Sequence, residues 1–158
     1  MRYLIIFLLF CILFVFTVFP EEDPDLFLHI NFGEWMWQNG KVMTINPFLS
    51  TKPTGGWESW INYQWFPEVV FFVIYKTGGI NALIILKSIL FLLTFFLLFL
   101  SGYKKRFYII GVLVMSLGIL LAQARFAVRP EMFSYLFLSL YLFILQRYLQ
   151  RDTKLIYL

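Results

Sequence analysis

Residues 80–100 read INALIILKSILFLLTFFLLFL, a stretch of 21 residues with a single charged side chain, Lys87. A helix of this length crosses the hydrocarbon core of a bilayer, so the stretch predicts a membrane span. Other apolar stretches predict three further spans, at 3–19, 107–124 and 132–148. We therefore predict an all-α fold, a polytopic transmembrane helical bundle of about four spans.

The composition of the whole chain supports this class. The chain has 158 residues, of which 61% are hydrophobic and 14% charged, whereas soluble domains carry about 25% charged residues. Its one cysteine, Cys11, excludes an intrachain disulfide framework and a cysteine-based metal site. The net charge of +4 comes without a basic stripe on a soluble face, so we expect the lipid bilayer, and no nucleic acid, as a partner.

The distribution of Lys and Arg predicts the topology. The run 3–19 follows Arg2 as in a signal peptide, but it ends in Phe19-Pro20 without the small residues of a cleavage site. We expect an uncleaved span with the N-terminus in the cytoplasm. If residues 59–77 lie on the outer surface, seven of the thirteen basic residues are cytoplasmic; if they cross, only four are. We therefore predict one transmembrane module with an outer loop of interfacial helices at 21–79.

The outer loop begins with the segment DPDLFLHINFGEWMWQNG, in which Asp23 can cap a helix, Pro24 suits its first position and Gly40 can end it. On that helix, Asp25 and His29 are four residues apart and share a face. In one interpretation, Asp23 caps the helix and Asp25 is an acid in the first turn that the helix dipole stabilises. In the other, one of the two carboxylates accepts a proton or holds a divalent cation. His29 either orients Asp25 or binds an acceptor.

A second polar loop, residues 125–131, is expected on the same side of the membrane. Arg125 and Arg129 either reach lipid headgroups or grip the phosphate of a donor. Glu131 either pairs with Arg129 or faces Asp25 across a cleft as a second acid. The two loops would then form one site over the outer ends of the spans.

Three more polar residues are candidates for lining this site. Placing the charged side chain of Lys87 inside a span costs free energy unless the charge is paired or reaches water. Gln64 and Glu68 share a face of a helix predicted over 59–77, with Ser59 as its cap and Gly78 at its end.

Several segments together carry a resemblance to a known family: DPDLFLHINFGEWMWQNGKV, NPFLST, WESWINYQWFPEVVFFVIYKTGGINAL and RFAVRPEMFSYLF. In order and spacing they resemble the GT-C superfamily of polytopic membrane glycosyltransferases, in particular its bacterial, mannosyltransferase-like branch. The resemblance covers the chain to about Tyr148. It departs from the family pattern at Asn46 and Gln64, where acids are frequent, and the family's later spans are missing. We therefore expect a fragment of a longer protein, whose remaining spans would be its partners.

The resemblance implies a multi-pass enzyme of the bacterial cytoplasmic membrane that uses a polyprenyl-phosphate sugar donor. It places Asp25 or Asp23 as the first-loop acid and Arg129-Pro130-Glu131 at the second-loop position. Sugar transfer would follow, with a divalent cation such as Mg²⁺ or Mn²⁺ held by the two aspartates if one is used. The alternative is a non-catalytic module that binds a lipid-linked sugar or scaffolds a partner.

Overall fold

The computed structural model describes residues 2–20, 23–44, 62–102 and 104–151. They form helices and connecting turns, and no strand occurs among them, which confirms the predicted all-α class. The five α-helices are α1 (Arg2–Thr17), α2 (Leu26–Asn39), α3 (Trp65–Gly102), α4 (Tyr108–Ala122) and α5 (Glu131–Arg151). Short 3-10 helices flank α4 at Lys105–Phe107 and Gln123–Arg125.

Within these described ranges, three helical stretches are long and apolar enough to cross a membrane: Trp65–Gly102, Tyr108–Arg125 and Glu131–Leu149. They contain or nearly coincide with the spans predicted at 80–100, 107–124 and 132–148. The helix at the predicted span 3–19 is shorter, since α1 has 16 residues. At 1.5 Å per residue it measures about 24 Å, against a hydrocarbon core of about 30 Å.

Helix α3 joins two stretches that were predicted to be separate, 59–77 and 80–100. Its backbone leaves helical geometry at Gly79, with φ 62° and ψ −157°, a conformation that is open almost only to glycine. The boundary expected at Gly78 is therefore present one residue later, as a break inside one long helix. At the other end, the described part of the helix begins at Trp65, and the predicted cap Ser59 lies outside the described residues.

The chain divides into two compact units, Asp23–Leu83 and a second unit made of Met1–Glu22 with Ile84–Leu158. In the first, α2 packs against residues 65–78 at Gly33, where an added Cβ would lie 2.0 Å from the Glu68 carbonyl oxygen. Only glycine permits so close an approach of two helix backbones. Beside this contact, buried side chains cluster with Trp35 and Val69: Phe32, Met36 and Met43.

The second unit is held by apolar and aromatic packing. Helix α1 packs against α4, and its Phe10 ring lies edge-on to Phe96 and Phe99 of α3, with centroids 6.1 Å apart in both pairs. Phe126, in the turn before α5, packs against Phe91 and Phe95 with centroid distances of 4.7 and 6.0 Å. These aromatic contacts fix the turn that carries the predicted arginines.

Candidate functional site

The two aspartates before α2 have different surroundings. The Asp23 carboxylate accepts a hydrogen bond from the backbone N–H of Asp25 at 3.0 Å, and its carbonyl accepts one from Leu26 at 3.2 Å. Asp23 therefore closes the turn that leads into α2. The helix itself begins at Leu26 with Asp25 at its N-cap, so the predicted start, with Asp23 as cap and Pro24 as first residue, is two residues too early. Asp25 is exposed and its side chain makes no capping hydrogen bond.

His29 contacts a partner that the sequence pattern did not predict. Its Nδ1 lies 2.9 Å from Oε1 of Glu68, which is 39 residues further along the chain. The predicted partner Asp25, one turn earlier on α2, is therefore replaced by Glu68. The cause is the close contact at Gly33, which brings the Glu68 backbone, and with it the carboxylate, against α2.

Asn62 completes this network and was not among the predicted site residues. Its side-chain Nδ2 donates to Oε2 of Glu68, while its Oδ1 accepts the backbone N–H of Gln64 at 2.9 Å. Both Asn62 and Glu68 are 1% exposed. An asparagine just before a helix start is a signal for this kind of side-chain-to-backbone bond, so Asn62 could have been found from the sequence.

Gln64, predicted to line the site with Glu68, contributes through its backbone. Its N–H donates to Asn62 and its carbonyl accepts the N–H of Glu68 at 3.2 Å. These bonds form the first turn of α3. They keep the Asn62 amide within hydrogen-bond distance of the Glu68 carboxylate.

Lys87 is buried. Its side chain is 1% exposed, and Nζ donates to the backbone carbonyl of Phe19 at 3.2 Å. This bond ties α3 to the segment that follows α1. The structure thus gives Lys87 a structural contact in place of the headgroup contact that snorkelling would give, and its role in substrate binding stays a prediction.

The loop between α4 and α5 places the second predicted group. Phe126 and Val128 are buried, so the turn is anchored by its apolar residues. Arg125 is exposed and Arg129 is half-buried. Glu131 accepts a hydrogen bond from the hydroxyl of Tyr135 at 3.0 Å, a contact within α5 that was not predicted.

Beside this loop lies an apolar groove of about 340 Å³. Three parts of the second unit form it, namely α3, the end of α4 with its turn, and α5. Arg125 is the single charged residue in its lining, and Thr94, Tyr135 and Ser139 supply hydroxyl groups. The remaining lining side chains are apolar: Phe91, Phe95, Leu98, Ala122, Phe126, Leu138 and Leu142. The groove was not predicted, because its walls are far apart in sequence.

The predicted site residues thus form two groups. One unit holds Asp23, Asp25, His29, Gln64 and Glu68, and the other holds Lys87, Arg125, Arg129 and Glu131. The single cleft shared by both groups stays a prediction.

Two features of the described ranges could take part in binding or catalysis. They are the polar network around Glu68 and the groove beside Arg125. No set of three or more His, Cys, Asp or Glu side chains in those ranges is arranged to hold a metal ion, so a cation on Asp23 and Asp25 stays a prediction. Comparison with family models, with curated proteins and with solved structures gave no match for this chain.

Proposed function

We propose that this chain is part of a GT-C-like integral membrane glycosyltransferase of the bacterial cytoplasmic membrane. It would transfer a sugar from a polyprenyl-phosphate donor to an acceptor on the extracytoplasmic side. The proposal adopts four spans, with α1 as the first and the N-terminus in the cytoplasm. The family resemblance of the polar segments supports the reaction class.

The observation that carries the proposal is the groove with Arg125 in its lining. A polyprenyl phosphate has a long apolar chain and an anionic head, so it needs an apolar channel that ends at a cation. The groove supplies apolar walls over about 340 Å³, and the arginine supplies a planar guanidinium that suits bidentate contact with phosphate. Arg129 lies four residues further along the same loop and is half-buried.

Replacing Arg125 by alanine is expected to weaken binding of a polyprenyl monophosphate about tenfold or more. A hydrogen bond to a charged group contributes about 1.5–3 kcal/mol, and about 1.4 kcal/mol corresponds to a factor of ten. Binding is measured with the purified protein in nanodiscs, by displacement of a fluorescent polyprenyl phosphate. The matched control is Arg147→Ala, which removes the same charge near the far end of α5, where Arg147 stacks on Phe143. Equal losses in both variants would contradict the proposal.

A sugar-transfer assay with a glycosylated donor, run beside the binding assay, separates transfer from binding alone. A full-length protein that binds the polyprenyl phosphate but never transfers sugar from the glycosylated donor would favour the non-catalytic module. Transfer that depends on Arg125 supports the enzyme.

Single cysteines test the proposed sidedness. In a Cys11→Ser background, a membrane-impermeant maleimide added from outside is expected to label cysteines at Lys76 and Arg129 and to spare one at Lys104. The reason is that an even number of crossings separates positions 76 and 129, and one crossing separates 104 from each. Labelling at 104 with protection at 129 would reverse the proposed topology.

A further inference from the structure

The hydrogen bonds around Glu68 orient the side chains that face its carboxylate. Because Oδ1 of Asn62 accepts the N–H of Gln64, its amide nitrogen must be the group that faces Glu68. One carboxylate oxygen thus accepts from Asn62, and the other lies 2.9 Å from Nδ1 of His29. Opposite an ionised Glu68 carboxylate, which only accepts hydrogen bonds, a neutral His29 ring carries its proton on Nδ1.

This tautomer leaves the other ring nitrogen of His29 with a lone pair. In the described part of the chain, no residue forms a hydrogen bond with Nε2. The His29 side chain is 14% exposed and that of Glu68 is 1% exposed, so the imidazole is the part of the pair that a substrate can reach. The arrangement is a partly exposed histidine whose orientation is set by a buried carboxylate.

A histidine held in this way by a carboxylate is suited to take a proton during a reaction. The carboxylate fixes the ring and stabilises the imidazolium that forms, and histidine is the side chain most often used for this purpose near neutral pH. Asp25, the base favoured by the sequence pattern, lacks such a support, because it is exposed and its side chain makes no capping bond.

We infer that His29, through Nε2, is the general base of the proposed sugar transfer and that Glu68 is its positioning residue. The inference rests on the proposed function. The acceptor hydroxyl oxygen forms a bond to the anomeric carbon, and its proton passes to Nε2. The bond from that carbon to the donor phosphate breaks, and the polyprenyl phosphate leaves with the electron pair.

The first test compares variants of the full-length protein in a sugar-transfer assay with a glycosylated polyprenyl phosphate. His29→Gln is expected to lower kcat at least 100-fold, in line with the roughly 10²–10⁴-fold contribution of general bases, while KM for the donor stays within about threefold. Glu68→Gln is expected to lower kcat tenfold or more, because a glutamine amide disturbs the tautomer. Glu34→Gln, a change at a half-buried residue of the same helix whose partner is Gln38, is the control and keeps the wild-type rate.

A second measurement uses the wild-type protein, so it does not depend on whether a variant folds. His29 is the one histidine in the 158 residues, so diethyl pyrocarbonate modification can be assigned to it by peptide mass spectrometry. Modification is expected to stop transfer, and hydroxylamine is expected to restore it.

The outcomes distinguish the two proposals. Wild-type rates in His29→Gln, or full activity after modification of His29, would overturn the base assignment alone. Loss of transfer in Asp25→Asn, with His29→Gln unaffected, would return that role to Asp25. A wild-type protein that transfers no sugar overturns the proposed function, and the inference with it.

Discussion

Replacing Gly33 by alanine is expected to destabilise the protein by about 3 kcal/mol, at the upper end of the range for overpacked sites. The added Cβ would lie 2.0 Å from the carbonyl oxygen of Glu68 and 2.6 Å from its carbonyl carbon. These are backbone atoms of α3, which cannot rotate away as the end of a side chain can. Helix α2 must therefore move, and the His29–Glu68 hydrogen bond is stretched with it. Thermal unfolding of the purified protein, followed by tryptophan fluorescence, measures the loss.

Gly118→Ala is the matched control for this substitution. Gly118 lies inside α4, and a Cβ there meets no heavy atom within 4 Å. Alanine is favoured over glycine in helices by up to about 1 kcal/mol, so Gly118→Ala is expected to leave Tm unchanged or slightly raised. Similar decreases of Tm in both variants would show that the close approach at Gly33 is not what makes its substitution costly.

Replacing Lys87 by glutamate is expected to prevent accumulation of folded protein in the membrane. The substitution puts a carboxylate into a site that is 1% exposed and directs it at the Phe19 carbonyl, which accepts a bond from Lys87. Leaving a buried charge uncompensated costs about 3–5 kcal/mol, a large part of the stability of an ordinary domain. Lys87→Met keeps most of the volume and loses the hydrogen bond, so we expect a smaller cost of about 1–3 kcal/mol.

The control for Lys87 lies on the same helix. Lys76 is exposed, and its Nζ lies 5.7 Å from the centre of the Phe72 ring. Lys76→Met and Lys76→Glu are expected to cost less than about 1 kcal/mol, the value of an exposed cation–π contact. Membrane levels and Tm are compared for all four variants. If Lys87→Glu accumulates and unfolds like Lys76→Glu, the buried bond to Phe19 does not stabilise the unit.

The helices and their ends follow from short-range signals in the sequence. The apolar runs at 80–100, 107–124 and 132–148 are long enough to form spanning helices whatever surrounds them. Gly40 ends α2 in the left-handed conformation, with φ 61° and its N–H bonded to Met36, because glycine carries no Cβ to oppose it. Asp23 caps the preceding turn for an equally local reason, the reach of its carboxylate to an N–H two residues away.

The hydrogen-bond partners of the polar side chains did not follow from these short-range sequence signals. Helical periodicity puts Asp25 one turn from His29, and that spacing alone favours their pairing. In the structure, His29 is hydrogen-bonded to Glu68 instead. Gly33 lets the backbones of the two helices approach closely enough for the buried Glu68 carboxylate to reach the imidazole. The apolar groove depends in the same way on α3, α4 and α5 meeting.

The sequence by itself determined that the described part of the chain is helical and that it holds helices long and apolar enough to cross a membrane. It also determined where these helices run and where glycines interrupt or end them. Each of these depends on the transfer of apolar side chains out of water and on bonds between near neighbours in the chain. Only the tertiary structure decided that His29, Asn62 and Glu68 lose water together and that Arg125 borders an apolar groove. The physical reason is that desolvation of a polar group depends on what packs over it, and residues far along the chain supply that cover.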